Sequence, residues 1–147
     1  MKKTTLVVLL GLVVISACKK DADSTPTMQL SGTLSGSSQV PAVSTSATGT
    51  VTGTYAPSTK ALTYTITYSG LSGAATGAHL HYGDAKHKTD APTIPFTNFP
   101  STASGTYSGT VTLTAMQADS LLASRMYANI HTAANGNGEI RANLAVK

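Results

Sequence analysis

Apolar residues recur at every second position through much of the chain between residues 28 and 146, the pattern of strands with one buried face. Met28, Leu30 and Leu34 alternate with polar residues, and Val51 and Tyr55 continue the pattern beside glycines at 49 and 53. After Pro57-Ser58, which reads as a turn, Leu62, Tyr64, Ile66 and Tyr68 take one face while Thr63, Thr65 and Thr67 take the other. Ala78, Leu80 and Tyr82 alternate with His79 and His81, and Tyr107, Val111 and Leu113 mark a further strand. Met126, Ala128 and Ile130 alternate with Tyr127, Asn129 and His131; Ile140, Ala142, Leu144 and Val146 alternate with Glu139, Arg141 and Asn143. One helix is predicted over Ala115 to Ser124, because Thr114 and Gln117 have capping-box spacing, with Met116, Leu121 and Leu122 as its candidate core contacts. Ala133 to Gly138 is rich in Asn and Gly, which tolerate positive φ, and reads as a hairpin loop between the last two long strands. Short strands parted by turn residues, with one short crossover helix, predict an all-β antiparallel sandwich over residues 28–147.

The N-terminus follows a different pattern. Lys2 and Lys3 precede an apolar run from Leu6 to Ile15, then the small residues Ser16 and Ala17, then Cys18. This is the layout of a secretory signal peptide over residues 1–17, and the run is too short to cross a bilayer, which needs about 20 residues. Ile15-Ser16-Ala17-Cys18 resembles the bacterial lipobox, in which the cysteine is acylated and the bond before it is cut. That resemblance implies a palmitate-type lipid anchor on Cys18, a flexible polar tether over residues 18–27, and a place in the bacterial cell envelope, at the outer rather than the inner membrane.

Composition narrows the function further. Cys18 is the one cysteine, so neither an internal disulfide nor thiol-redox or zinc-finger chemistry is open to the chain. With Lys2 and Lys3 removed, 8 of the 10 basic residues face 6 acidic ones, and the net charge falls from +4 to +2. The basic residues are scattered, with no patch and no interleaved aromatics, which excludes a nucleic-acid partner.

Alternation places the chemistry-bearing side chains opposite the apolar set: His79 and His81 on one strand, Asn129 and His131 on another, Glu139 and Arg141 on the last. The hairpin brings His131 and Glu139 near each other, and all six share a sheet face if the strand at 78–82 pairs nearby. Two histidines at i and i+2 point the same way, about 7 Å apart along the strand. They can converge on copper or zinc with His131 as a third ligand. The structural alternative is a polar network in which the histidines bond Glu139, Asn129 or backbone groups and Glu139 pairs with Arg141. It is the preferred reading, with no cofactor expected. His87, between Lys86 and Lys88, reads as an exposed loop residue. No Ser–His–Asp arrangement or nucleophile elbow is legible, which removes hydrolysis.

Several stretches resemble the CHRD domain, the module repeated in chordin and found alone in many bacterial proteins. They are Leu30-Ser31-Gly32 with Gln39-Val40-Pro41-Ala42-Val43; Gly49; Leu62-Thr63-Tyr64 with Gly70-Leu71; Ala78-His79-Leu80-His81 with Gly83; and Tyr127-Ala128-Asn129-Ile130-His131-Thr132 running to Gly138-Glu139-Ile140-Arg141. The chain departs from the family pattern at Asn135-Gly136-Asn137, where a proline is usual, and at Ala142, where a glycine is usual. The resemblance implies an all-β domain and carries no chemistry with it. A weaker resemblance joins Gly77 to His81, followed by Gly83-Asp84, to the His-x-His copper-ligand strand of copper–zinc superoxide dismutase, although no bridging histidine or zinc-site set is recognisable. The expected sandwich is therefore immunoglobulin- or superoxide dismutase-like. The expected function is a non-catalytic envelope lipoprotein with a binding or structural domain, an envelope protein or glycan as partner. The alternative is a copper- or zinc-binding, superoxide dismutase-like protein using His79, His81 and His131.

Overall fold

The structure is a computed structural model and describes residues 26–147. The signal segment, Cys18 and most of the expected tether lie outside the described residues. The period-2 segments form β1 (Met28–Ser35), β2 (Thr48–Ala56), β3 (Ala61–Ser69), β4 (Ala75–Tyr82), β6 (Gly105–Thr112) and β7 (Met126–Thr132); the last one breaks into β8 (Ile140–Asn143) and β9 (Ala145–Val146), and a short strand that the alternation does not predict, β5 (Ile94–Pro95), lies between β4 and β6 in the chain. They build one antiparallel sheet in the order β5-β4-β7-β8-β1-β2-β3-β6, with β9 also paired to β1.

The sheet curls into a sandwich-like all-β fold around one core. One half contributes Leu34, Val51, Tyr55, Leu62 and Ile66, and the other Leu80, Met126, Ile130 and Ile140. Aromatic rings close the seam between the two edges: Phe96, just after β5, packs on Tyr64 of β3 at 5.1 Å and on Tyr107 of β6 at 5.5 Å between centroids. Outside the core, the hydroxyls of Thr63, Thr65 and Thr67 pair across strands with Thr110, Ser108 and Thr106, the cross-strand pairing expected of an exposed face.

The helix α1 (Ala115–Leu122) connects β6, at one edge, to β7 in the other half. Its capping box forms as expected: Thr114 Oγ1 accepts from the Gln117 amide and Gln117 Oε1 accepts from the Thr114 amide. The expected core contacts need correction. Leu121 is fully buried and Ala118 nearly so, but Met116 is 69% exposed and Leu122 46% exposed. A helix this short lays one narrow stripe on the core, and positions 118 and 121 fill it, which turns their neighbours outward.

Candidate functional site

The polar residues gather where β4, β7 and β8 lie side by side. The register sets His81 opposite Tyr127 and Tyr127 opposite Asn143, and sets His79 opposite Asn129 and Asn129 opposite Arg141. Directly opposed residues project from the same side of a sheet, so these two rows form one polar face. His131, opposite Gly77, begins a third row. The face is not a solvent surface: His81, Tyr127, Asn129 and Arg141 are all buried. The loops at 36–45, 83–93 and 133–138 supply the cover.

Two glycines make that cover possible. Gly83 has φ +146, and a Cβ there would meet the His87 carbonyl oxygen at 2.4 Å and the Tyr127 ring at 2.9 Å. Gly138 has φ +112, and a Cβ there would meet the Asn129 side chain at 2.1 Å. Both positions combine a backbone conformation that favours glycine with a backbone approach only glycine permits.

Arg141 and Tyr127 hold the loop that follows β4. One guanidinium nitrogen of Arg141 donates to the carbonyl of Asp84, to that of His87 at 3.1 Å, and to Asn143 Oδ1 at 3.0 Å. The guanidinium carbon sits 3.6 Å from the centroid of the Tyr127 ring, a cation–π contact strengthened by desolvation. The Tyr127 hydroxyl donates to the Thr89 carbonyl at 3.1 Å. Burial lowers the pKa of Arg141, opposed by Tyr127 and Asp84, and burial raises that of Tyr127.

Glu139 serves a different structure. Its Oε1 accepts from Thr45 Oγ1 at 2.8 Å and from the Ser72 amide at 2.9 Å; its Oε2 accepts from Ser72 Oγ at 2.6 Å and Thr132 Oγ1 at 2.8 Å. Burial pushes its pKa up, but these four hydrogen bonds together outweigh burial and bring it from 4.5 down to about 2. The expected Glu139–Arg141 pair is therefore corrected: no ion pair joins them among the described residues, because the carboxylate is drawn to the Thr45 and Ser72 loops and the guanidinium to the 84–87 backbone. Nor do the histidines bond Glu139 or Asn129. Asn129 Oδ1 instead accepts from Gln39 Nε2 at 2.7 Å, and Asn129 Nδ2 donates to the Asn137 carbonyl at 3.3 Å.

The histidines turn toward one another. His79 Nδ1 lies 3.2 Å from His131 Nε2, and His131 Nδ1 lies 2.9 Å from the Gly136 carbonyl, to which it can only donate. His81 is 3% exposed and stacks on Tyr127, with centroids 4.9 Å apart and planes 5° from parallel. Neither of its ring nitrogens meets a partner in good hydrogen-bond geometry, although the Ala91 and Thr89 backbone lies close to the ring. Burial is the main cause that lowers its pKa to about 4, with His79 and His131 adding to the shift and the carbonyls of Ala91 and Thr89 opposing it. Burial, then the neighbouring His131, also lowers the pKa of His79. One ring nitrogen from each of the three histidines falls within 4.8 Å of the other two. His87 stands apart, 76% exposed and 2.8 Å from Asp84 Oδ1.

His81, Asn129 and His131 open into a cleft of about 150 Å³, which Gln39, Lys88 and Asn137 help to line. Gln39 and the 88–90 segment were missing from the expected site. Gln39 did carry a signal, since it opens the Gln39-to-Val43 stretch quoted above. The 88–90 segment carried none, because it is held through a backbone carbonyl, that of Thr89, which Tyr127 grips.

A model of the CHRD domain family matches residues 30–144, a span that includes every residue of the polar face. No curated protein and no solved structure gives a significant match to the chain.

Proposed function

The chain belongs to the CHRD domain family, and from that premise we propose that it is a non-catalytic binding module of the bacterial cell envelope, anchored by lipid on Cys18, with the polar cleft as its binding site. The observation that carries the binding reading is the way the polar face is built. Its strongest groups hold loops in place: all four Glu139 contacts and all three Arg141 hydrogen bonds serve protein groups. A carboxylate so engaged, with its pKa brought down to about 2, is a poor general base near neutral pH. A pinned, preformed cleft suits recognition, because little ordering entropy is left to lose on binding. The anchor reading rests on Ile15-Ser16-Ala17-Cys18 after the apolar run. Several acyl chains on one cysteine hold firmly, since each buried CH₂ contributes about 0.8 kcal/mol.

Two experiments test this. In cells fed labelled palmitate, the wild-type protein should take up label and sediment with membranes, and Cys18→Ala should do neither; an unlabelled wild-type protein would remove the anchor. Lipid-free domain should be retained on purified cell envelopes. Lys88→Glu at the cleft should weaken that retention, and Thr110→Arg on the outer face should not. Equal retention of the two variants would remove the cleft as the binding site.

A further inference from the structure

The buried state of His81 asks for an explanation. A buried polar group without a partner costs about 1–3 kcal/mol, and native interiors rarely leave one. Here neither nitrogen of one imidazole meets a partner in good hydrogen-bond geometry, with only the Ala91 and Thr89 backbone close by, and the ring stacks on Tyr127. The neighbouring rings are arranged to the same end. His131 donates from Nδ1 to the Gly136 carbonyl, so in the neutral ring Nε2 carries a lone pair. That lone pair faces His79 Nδ1 at 3.2 Å, and a proton on one ring is needed to join them. A cation can take the place of that proton.

We propose that His79, His81 and His131 form a three-nitrogen site for a copper- or zinc-type divalent ion, with the fourth coordination position open to the cleft. The inference rests on the reading of the cleft as a binding site and names its ligand. The dimensions suit it. Imidazole nitrogens about 2.0–2.1 Å from a tetrahedral ion lie about 3.3 Å from one another. The His79–His131 pair already has that spacing, and the widest gap, at most 4.8 Å, exceeds it by about 1.5 Å, which the part-exposed His79 and His131 rings would take up by turning toward the stacked His81 ring. Neutral imidazole is the donor these metals prefer, and the cluster holds neither the thiolates that select softer ions nor the carboxylates that select magnesium or calcium. The bond from His131 to Gly136 is the outer contact that fixes a ligating histidine in its tautomer. Two of the three ligands, His81 and His131, line the cleft, which leaves a position for water or an incoming ligand.

The test uses purified protein stripped of metal and titrated separately with zinc chloride and copper(II) sulfate, followed by calorimetry and thermal melting. One equivalent of at least one metal should bind and raise Tm, since an ion that binds only the native state stabilises it. His79→Gln and His131→Gln, at rings only partly buried, should each weaken binding by more than about a hundredfold while circular dichroism shows them folded. His87→Ala should bind as the wild type does. A further measurement needs no variant: the copper-loaded wild-type protein should show electron paramagnetic resonance splittings from histidine nitrogen. Absence of stoichiometric binding, binding that survives in the folded Gln variants, or an oxygen-dominated copper spectrum would each overturn the site. The palmitate and envelope-retention results stand or fall separately, so a failed metal site and a failed binding module are told apart.

Discussion

Glu139 offers the sharpest test of how the fold holds together. Its carboxylate is fully buried and accepts four hydrogen bonds from Thr45, Ser72 and Thr132. These bring its pKa from 4.5 to about 2. The direction fixes the sign: a folded pKa below the unfolded one means that the charged form stabilises the fold. That stability is fully present above about pH 4.5 and is lost as the pH falls toward 2. A shift of this size corresponds to about 3 kcal/mol, at 1.36 kcal/mol for each pH unit. Glu139→Gln removes the charge and replaces one acceptor oxygen by a donor, so the variant should be less stable by about 3 kcal/mol at pH 7. Urea unfolding of residues 26–147, followed by circular dichroism at pH values from 7 to 2, measures both effects. The gap between wild type and Glu139→Gln should narrow steadily below pH 4.5 and nearly vanish at pH 2. A gap that stays constant over that range would refute the reasoning, because it would mean that the variant loses stability for a reason other than the charge of the carboxylate.

Two further predictions bear on the scaffold. Gly138→Ala should lower stability by about 2 kcal/mol or more, read as a drop in Tm, because φ +112 and the Asn129 side chain both oppose a Cβ; an unchanged Tm would mean that the loop has another conformation. Leu121→Ala should cost about 2–5 kcal/mol, whereas Met116→Ala, on the exposed side of α1, should stay within about 0.5 kcal/mol; equal losses would undo the assignment of the helix's inner stripe.

Much of the fold was legible because the strands alternate without interruption. Leu62 to Tyr68 and Thr63 to Thr67 separate cleanly onto inner and outer faces, and the structure places them so. The capping box likewise depends only on residues three apart. Alternation also put His79, His81, Asn129, His131 and Arg141 on one side of the sheet. It could not show that this side is buried, since the loops that cover it are polar and carry no periodicity. Nor could it say which partner each group takes. Glu139 and Arg141, two residues apart, seemed paired by proximity, yet each is claimed by a different loop from far along the chain. The rotation of the three histidine rings toward one another depends on the stack with Tyr127 and on the Gly136 carbonyl, and neither follows from spacing.

The grip on the loop after β4 has an evolutionary consequence. Arg141 and Tyr127 reach only its main chain, at the carbonyls of Asp84, His87 and Thr89. Every amino acid supplies a carbonyl, so none of these three bonds depends on which side chains the loop carries. Substitutions at Lys88 or Asp90, which line the cleft, can therefore redraw its chemistry while the loop keeps its course. Drift can act on the recognition surface of such a domain without first having to solve the folding problem again.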